Sequence, residues 1–88
     1  MEKIRTVVNI AGKDYTLSGY DSEDYVKRVA GYVDRKLNEM TMATRLPLQQ
    51  VAIFTAVNFA DEMIKAQDEI KRLRKEIDLL RVANDQKK

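Results

Sequence analysis

Histidine, cysteine and tryptophan are absent from this chain of 88 residues, and glycine and proline are scarce, with three and one residues. Without cysteine the chain has no disulfide framework, thiolate nucleophile or cysteine-based metal site. Without histidine it lacks imidazole ligands and a Ser-His-Asp triad. So few turn-forming residues favour long helices over a turn-rich sheet. We therefore expect a protein that is not an enzyme and that holds no cofactor or metal.

A large excess of one charge sign is also missing, because 16 Lys and Arg are balanced by 14 Asp and Glu, which leaves a formal net charge of +2. This is too small to indicate a nucleic-acid or membrane binder by itself. The longest apolar-rich stretch, residues 51–60, is interrupted by Thr55 and Asn58 and is far shorter than a membrane span. Because the first residues also lack the apolar stretch of a signal peptide, we expect a cytoplasmic protein.

The start of the chain has the pattern of a β-hairpin. Residues 4–10 have the period-two pattern of a strand, with Ile4, Val8 and Ile10 on one face together with Thr6, and a shorter segment of the same kind begins at Tyr15. Between them, Gly12 can adopt the positive φ that a two-residue hairpin loop requires. A single hairpin is not stable alone in water, so we expect it to lie on a helix or on another chain.

Two helices are predicted next. The first starts near Asp21 or Ser22, either of which can cap it; with Asp21 as the cap, Tyr20 and Tyr25 would form a hydrophobic staple. Its apolar residues recur every three or four positions until about residues 41–44. Pro47 suits the first turn of a second helix, which continues to about residue 85, because no glycine or proline interrupts it. The predicted fold is α+β, with a hairpin-and-helix head over residues 1–46 and a long coiled-coil helix over residues 47–88.

The second half of the long helix has a coiled-coil heptad repeat. With Ile70 and Ile77 at position a and Leu73 and Leu80 at d, β-branched residues at a and leucine at d favour a parallel two-stranded coil. In that register Glu69 and Glu76 fall at g and Arg74 and Arg81 at e, so opposite charges would face each other between chains. We call the full set of a and d residues the coil stripe: Met63, Ala66, Ile70, Leu73, Ile77, Leu80 and Asn84.

Other features have structural interpretations that we prefer to functional ones. The basic run 71–75 is flanked by acids and lacks aromatic residues, as expected for a solvated coiled-coil flank rather than a nucleic-acid site. The acids of residues 21–24 suit a helix start better than a metal site. The four tyrosines are expected to be packing residues. Asn58, within an apolar stretch, is expected to find a hydrogen-bond partner between helices or chains. Leu79 and Val82 lie outside the coil stripe and indicate a second contact there.

The whole pattern resembles the ZapA family of bacterial cell-division proteins. Residues 56–62, Ala-Val-Asn-Phe-Ala-Asp-Glu, resemble that family's alanine-leucine-asparagine-leucine-alanine signature, with Val57 and Phe59 in place of the commoner leucines. The segments 8–17 and 29–34 also resemble the family in order and spacing. The resemblance covers essentially the entire chain.

This resemblance implies a non-enzymatic partner of FtsZ, the tubulin-like GTPase of the division ring, which it would crosslink and bundle at the division site. It also implies homodimers, formed through heads and coils, that associate into a homotetramer. The FtsZ surface is acidic by the same implication, so the candidate contacts are basic head residues: Arg45, Lys13, Arg35 and Lys36. The candidate oligomer interface comprises Asn58, Phe59, Met63, Ile70, Leu73, Ile77, Leu79, Leu80 and Val82. Two alternatives stay open, a coiled-coil adaptor for another client and a small nucleic-acid-binding dimer.

Overall fold

The fold is a β-hairpin followed by two helices, in a computed structural model that describes residues 2–86. Strand β1 is Ile4–Ile10, strand β2 is Lys13–Gly19, helix α1 is Glu23–Thr44 and helix α2 is Leu48–Gln86. The predicted α+β class and order of elements are confirmed, and the predicted ends of both helices lie close to the observed ones. Among the described residues, no helix is both long and apolar enough to cross a membrane.

The hairpin closes through a two-residue loop with positive backbone angles. Ile10 pairs with Lys13, and the loop residues Ala11 and Gly12 have φ values of 54° and 83°. Positive φ at both loop positions is the type I′ geometry whose twist matches that of paired strands. On the inner face Thr6 and Val8 are buried, as the predicted alternation requires.

Helix α1 is capped by Ser22 and not by Asp21. The Ser22 hydroxyl oxygen accepts a hydrogen bond from the Tyr25 backbone N–H at 3.2 Å, and Glu23 and Asp24 occupy the first turn. This cap shifts the staple positions by one residue, so the predicted Tyr20–Tyr25 staple is wrong. Both tyrosines are exposed. The sequence offered two adjacent capping residues, and only the backbone geometry distinguishes them.

One face of α1 covers β1. Ala30 and Leu37 are buried on this face, seven residues or two helical turns apart. A polar contact adds to the apolar packing: Asp34 Oδ1 accepts a hydrogen bond from the Ala11 backbone N–H at 2.9 Å. The carboxylate thereby fixes the strained end of the hairpin to the middle of α1.

Replacing Asp34 by Ala should destabilise the head by about 1 kcal/mol, because the Ala11 N–H loses its acceptor in a partly buried position. Urea unfolding at one fixed protein concentration should show a lower midpoint with an unchanged slope. Asp34→Asn is the matched control, since its side-chain oxygen can still accept the bond. An Asp34→Ala midpoint equal to the wild-type value would show that the contact contributes nothing.

The first turns of α2 belong to the head. Val51 is fully buried and Thr55 is 3% exposed. The chain divides into two compact units, one reaching as far as Thr55 and the other beginning at Ala56. The helix that contains the coil stripe therefore starts inside the head, whereas the sequence-based boundary at residue 46 separated the two by element. The assignment of oligomerisation to residues 47–88 stays a prediction.

Candidate interaction surfaces

The coil stripe is exposed along the single chain. The side chains of Met63, Ile70, Leu73 and Ile77 are 43–56% exposed, and Leu80 is 68% exposed. Large apolar side chains in a continuous a/d row are costly to leave in water, at about 25 cal/mol per Å². An isolated helix of this kind is only marginally stable without packing on a partner. The stripe is therefore a candidate for an interface with another chain.

The charged flank of this helix is organised around Arg72. Its Nε donates to Glu69 Oε2 at 3.0 Å, its Nη1 donates to Glu76 Oε1 at 2.6 Å, and its Nη2 donates to Glu69 Oε1. The hydrogen bonds from Arg72 hold the pKa of the Glu69 carboxyl below its usual value. Both acids at heptad position g thus have a partner within their own chain, about one helical turn away. The predicted pairs from Glu69 and Glu76 to Arg74 and Arg81 of another chain stay a prediction.

Asn58 and Phe59 are half-buried where α2 leaves the head. The Asn58 Oδ1 atom is buried and has no hydrogen-bond partner within the described residues. A buried amide oxygen without a partner costs about 1–3 kcal/mol, so such atoms are usually satisfied. A donor from a second chain would satisfy it, as the sequence led us to expect.

Leu79 and Val82 form a separate exposed pair near the end of α2. Their side chains are 68% and 53% exposed, although neither lies at an a or d position. A two-stranded coil would leave both in water. They remain the candidates for a contact between coils.

The basic candidates fall at two places on the head. The first place holds Lys13, Arg35 and Lys36. Lys13 is exposed at the start of β2, next to the hairpin loop. The loop is hydrogen-bonded to Asp34, which directly precedes Arg35 and Lys36 in α1. Arg35 is exposed and its Cζ atom lies 5.2 Å from the centre of the Tyr32 ring. Lys36 is half-buried.

Arg45 lies about 15 Å further along α1 than Arg35, at a rise of 1.5 Å per residue. It is exposed and caps the helix in the left-handed conformation, with φ 56° and ψ 25°. Its backbone N–H donates to the Thr41 carbonyl oxygen at 2.8 Å. The sequence marked this residue as basic and in a loop, but the left-handed conformation was not predicted.

An apolar groove in the head was also not predicted. It has a volume of about 260 Å³ and lies between the inner face of the hairpin and the two helices. Tyr15 and Leu17 of β2 line it and stay 46% and 39% exposed, because α1 contacts β1. The expectation that the hairpin needs a helix is confirmed. The residues that line the groove are Ile10, Ala11, Tyr15, Leu17, Leu37, Leu48 and Ala52.

These features define a class of protein: a small α+β head followed by a long helix with an exposed apolar stripe. Within this class the chain belongs to the ZapA family. The family model described as Cell division protein ZapA matches residues 6–87.

Three relatives and one solved structure agree with this assignment. The chain is 38% identical over 87 residues to Cell division protein ZapA of Halalkalibacterium halodurans, covering 98% of this chain and 91% of that protein. It is 38% identical over 76 residues to the Geobacillus kaustophilus protein of the same name, with coverage of 85% and 84%. For the Bacillus subtilis protein the identity is 31% over 77 residues, with coverage of 86% and 91%.

The solved structure is described as a ZapA mutant dimer from Geobacillus stearothermophilus. It matches this chain with a TM-score of 0.70 and 36% identity, over 88% of this chain and 91% of that chain. The resemblance read from the signature segment at residues 56–62 is thereby confirmed, and so is the fold that it implied.

Proposed function

We propose that this chain is a non-enzymatic cell-division protein that binds FtsZ in the cytoplasm and crosslinks its protofilaments at the division site. In this proposal two chains form a homodimer through head and coil, and two dimers join through their coils into a homotetramer. Crosslinking needs several binding heads held apart, and a long helix between heads supplies that spacing. Because it needs no reaction chemistry, the absence of histidine and cysteine is no obstacle to it.

The observation that carries the proposal is the exposed coil stripe on a chain of the ZapA family. A stripe of five large apolar residues requires a second chain, and the ZapA structure that resembles this one is described as a dimer. The contacts of Arg72 argue against the nucleic-acid alternative. The central arginine of the basic run is already bonded to Glu69 and Glu76, so it offers less charge to phosphates.

Two centrifugation speeds can separate binding from crosslinking. High speed pellets single FtsZ polymers, and low speed pellets only bundles. The wild-type chain should appear in both pellets. The variant Leu79→Gln, Val82→Gln should stay in the high-speed pellet and leave the low-speed one, because a dimer that lacks the contact between coils can bind a filament without bridging two.

The control is Met42→Gln, which removes an 81% exposed apolar side chain at the end of α1. It should bundle like wild type. Light scattering should show half the wild-type mass for the double variant and an unchanged mass for the control. If the wild-type chain does not pellet with FtsZ polymers at either speed, the proposed function is wrong. If the double variant keeps the wild-type mass, the second contact lies elsewhere.

A further inference from the structure

Three exposed side chains form a row along the outer side of α1. Tyr25 is 51% exposed, Val29 is 43% exposed and Tyr32 is 60% exposed. Their spacing of four and three residues places them on one side of the helix, along two turns. We call this row the tyrosine face. The sequence led us to expect packing residues here, and within one chain both rings stay largely exposed.

The tyrosine face lies apart from the face of α1 that covers the hairpin. The buried residues Ala30 and Leu37 mark that inner face, and Val26 and Val33 beside them are half-buried. At 100° per residue, Tyr32 lies about 160° around the helix from Ala30. Packing in the head core therefore does not explain why two large aromatic rings lie on the outer side of α1.

Cations border the tyrosine face. Arg28 and Arg35 follow Tyr25 and Tyr32 by three residues each, and the Arg35 guanidinium lies 5.2 Å from the centre of the Tyr32 ring. Arginine over a tyrosine ring is held by a cation–π interaction while its outer N–H groups stay available to carboxylates. Two acids lie at its ends, Asp24 directly before Tyr25 and Glu39 two turns after Tyr32, whereas both arginines flank the row itself. The border is therefore mainly positive.

The spacing and the charge together specify what would cover this face. Apolar anchors at i, i+4 and i+7 are the form in which a helix enters an apolar groove of another protein. Tyrosine and arginine are also the residues that most often dominate binding energy at such contacts. A second copy fits less well, because a two-fold contact of this face with itself would bring two positively charged borders together.

We infer that the tyrosine face of α1 docks into an apolar groove with a carboxylate rim on the FtsZ filament. This inference rests on the proposed function, which supplies FtsZ as the partner. It adds aromatic anchors to the basic residues already considered as FtsZ contacts. Arg35 links the two groups, since it is one of those basic residues and also borders the tyrosine face. The basic residues then orient the contact and the tyrosine rings supply most of its stability.

The test is a titration of FtsZ polymers with the full-length chain, followed by co-sedimentation. The variant Tyr25→Ser, Tyr32→Ser should raise the dissociation constant about 100-fold, at roughly tenfold for each anchor. The variant Tyr25→Phe, Tyr32→Phe should bind within about threefold of wild type, since the ring is the anchor. Tyr20→Ser is the matched control: it removes a 60% exposed tyrosine outside α1 and should leave binding unchanged. Arg28→Gln should raise the dissociation constant and reduce its salt dependence.

Circular dichroism and light scattering on the same samples make each outcome decisive. The inference stands if the serine variant loses binding with wild-type helix content and mass. It falls if that variant binds FtsZ like wild type, while the FtsZ function of the chain then remains intact. It also falls if the variant changes mass, because the face would then be an interface between copies. If the wild-type chain does not bind FtsZ at all, the proposed function and this inference fail together.

Discussion

Changing Leu73 and Ile77 to Asp should split the assembly and unfold much of α2. Each substitution removes about 1.5–3 kcal/mol of apolar burial per chain and places a carboxylate where the partner helix would lie. A charge buried without a partner adds several kcal/mol more, so the interface cannot tolerate two per chain. Because an unpartnered helix is marginal in water, helix content should fall along with mass.

Light scattering and circular dichroism at tens of micromolar measure both effects. The matched control is Lys71→Gln, Lys75→Gln, which changes the net charge by the same amount at heptad positions b and f, away from the partner helix. It should keep the wild-type mass and helix content. A wild-type chain that is monomeric at this concentration would overturn the prediction, and so would an Asp variant of unchanged mass.

The elements of the fold were predictable because each has its own local signal. Period-two alternation specified which residues of β1 face inward, and Thr6 and Val8 are buried as expected. The glycine at position 12 located the hairpin loop, since positive φ is readily accessible to glycine. The absence of glycine and proline after Pro47 predicted one uninterrupted helix, and α2 runs from Leu48 to Gln86. These signals lie within a few residues of the structure that they specify.

Contacts that join distant parts of the chain were not predictable in the same way. Asp34 fits the polar side of a helix equally well whether or not it bonds to Ala11, and only the packing of α1 on β1 brings them together. The heptad repeat predicted that Glu69 and Glu76 contact another chain. It gave no reason to prefer those contacts to Arg72, which reaches both acids along its own helix.

The candidate sites also differ in whether a local sequence signal or only the folded structure identifies them. The coil stripe could be found from spacing alone, because its chemistry repeats along one helix. The tyrosine face has similar spacing, but apolar residues at such intervals usually indicate a core face. Only their exposed fractions separate the outer row of Tyr25 and Tyr32 from the inner row of Ala30 and Leu37. Helical periodicity identifies residues that share a face, but only the folded structure shows what that face contacts.

The second large effect is expected at Arg45, where function and stability should oppose each other. A residue with a side chain costs roughly 1–2 kcal/mol in the left-handed conformation, which is why glycine is usual at the end of a helix. Arg45 has φ 56° and ψ 25° there, with an exposed side chain. An arginine at a position suited to glycine supports our proposal that its guanidinium contacts FtsZ.

Arg45→Gly should therefore make the head more stable while weakening FtsZ binding. The relief of backbone strain is partly offset by the greater freedom of glycine in the unfolded chain, which leaves a net gain of about 0.5–1 kcal/mol. For a domain of this size that gain corresponds to a rise in melting temperature of roughly 2–8 °C. Arg45→Lys keeps the charge at the same backbone position and should change the melting temperature little, which makes it the matched control. Arg45→Glu should reduce co-sedimentation further, because it places a like charge against an acidic surface.

The dependence on salt concentration distinguishes the proposed contact between Arg45 and FtsZ from the contacts made by the coil stripe. If charge complementarity drives the contact between Arg45 and FtsZ, added salt should weaken bundling more steeply than it weakens tetramer formation, since the coil stripe is apolar. Gel filtration should still report the wild-type size for Arg45→Gly and Arg45→Glu. Full binding by Arg45→Gly would show that the strained arginine is not the contact. Retained bundling by the double variant Arg45→Glu, Lys13→Glu would exclude these two residues as the FtsZ contact and leave the tyrosine face of α1 or the coil as the candidate surfaces.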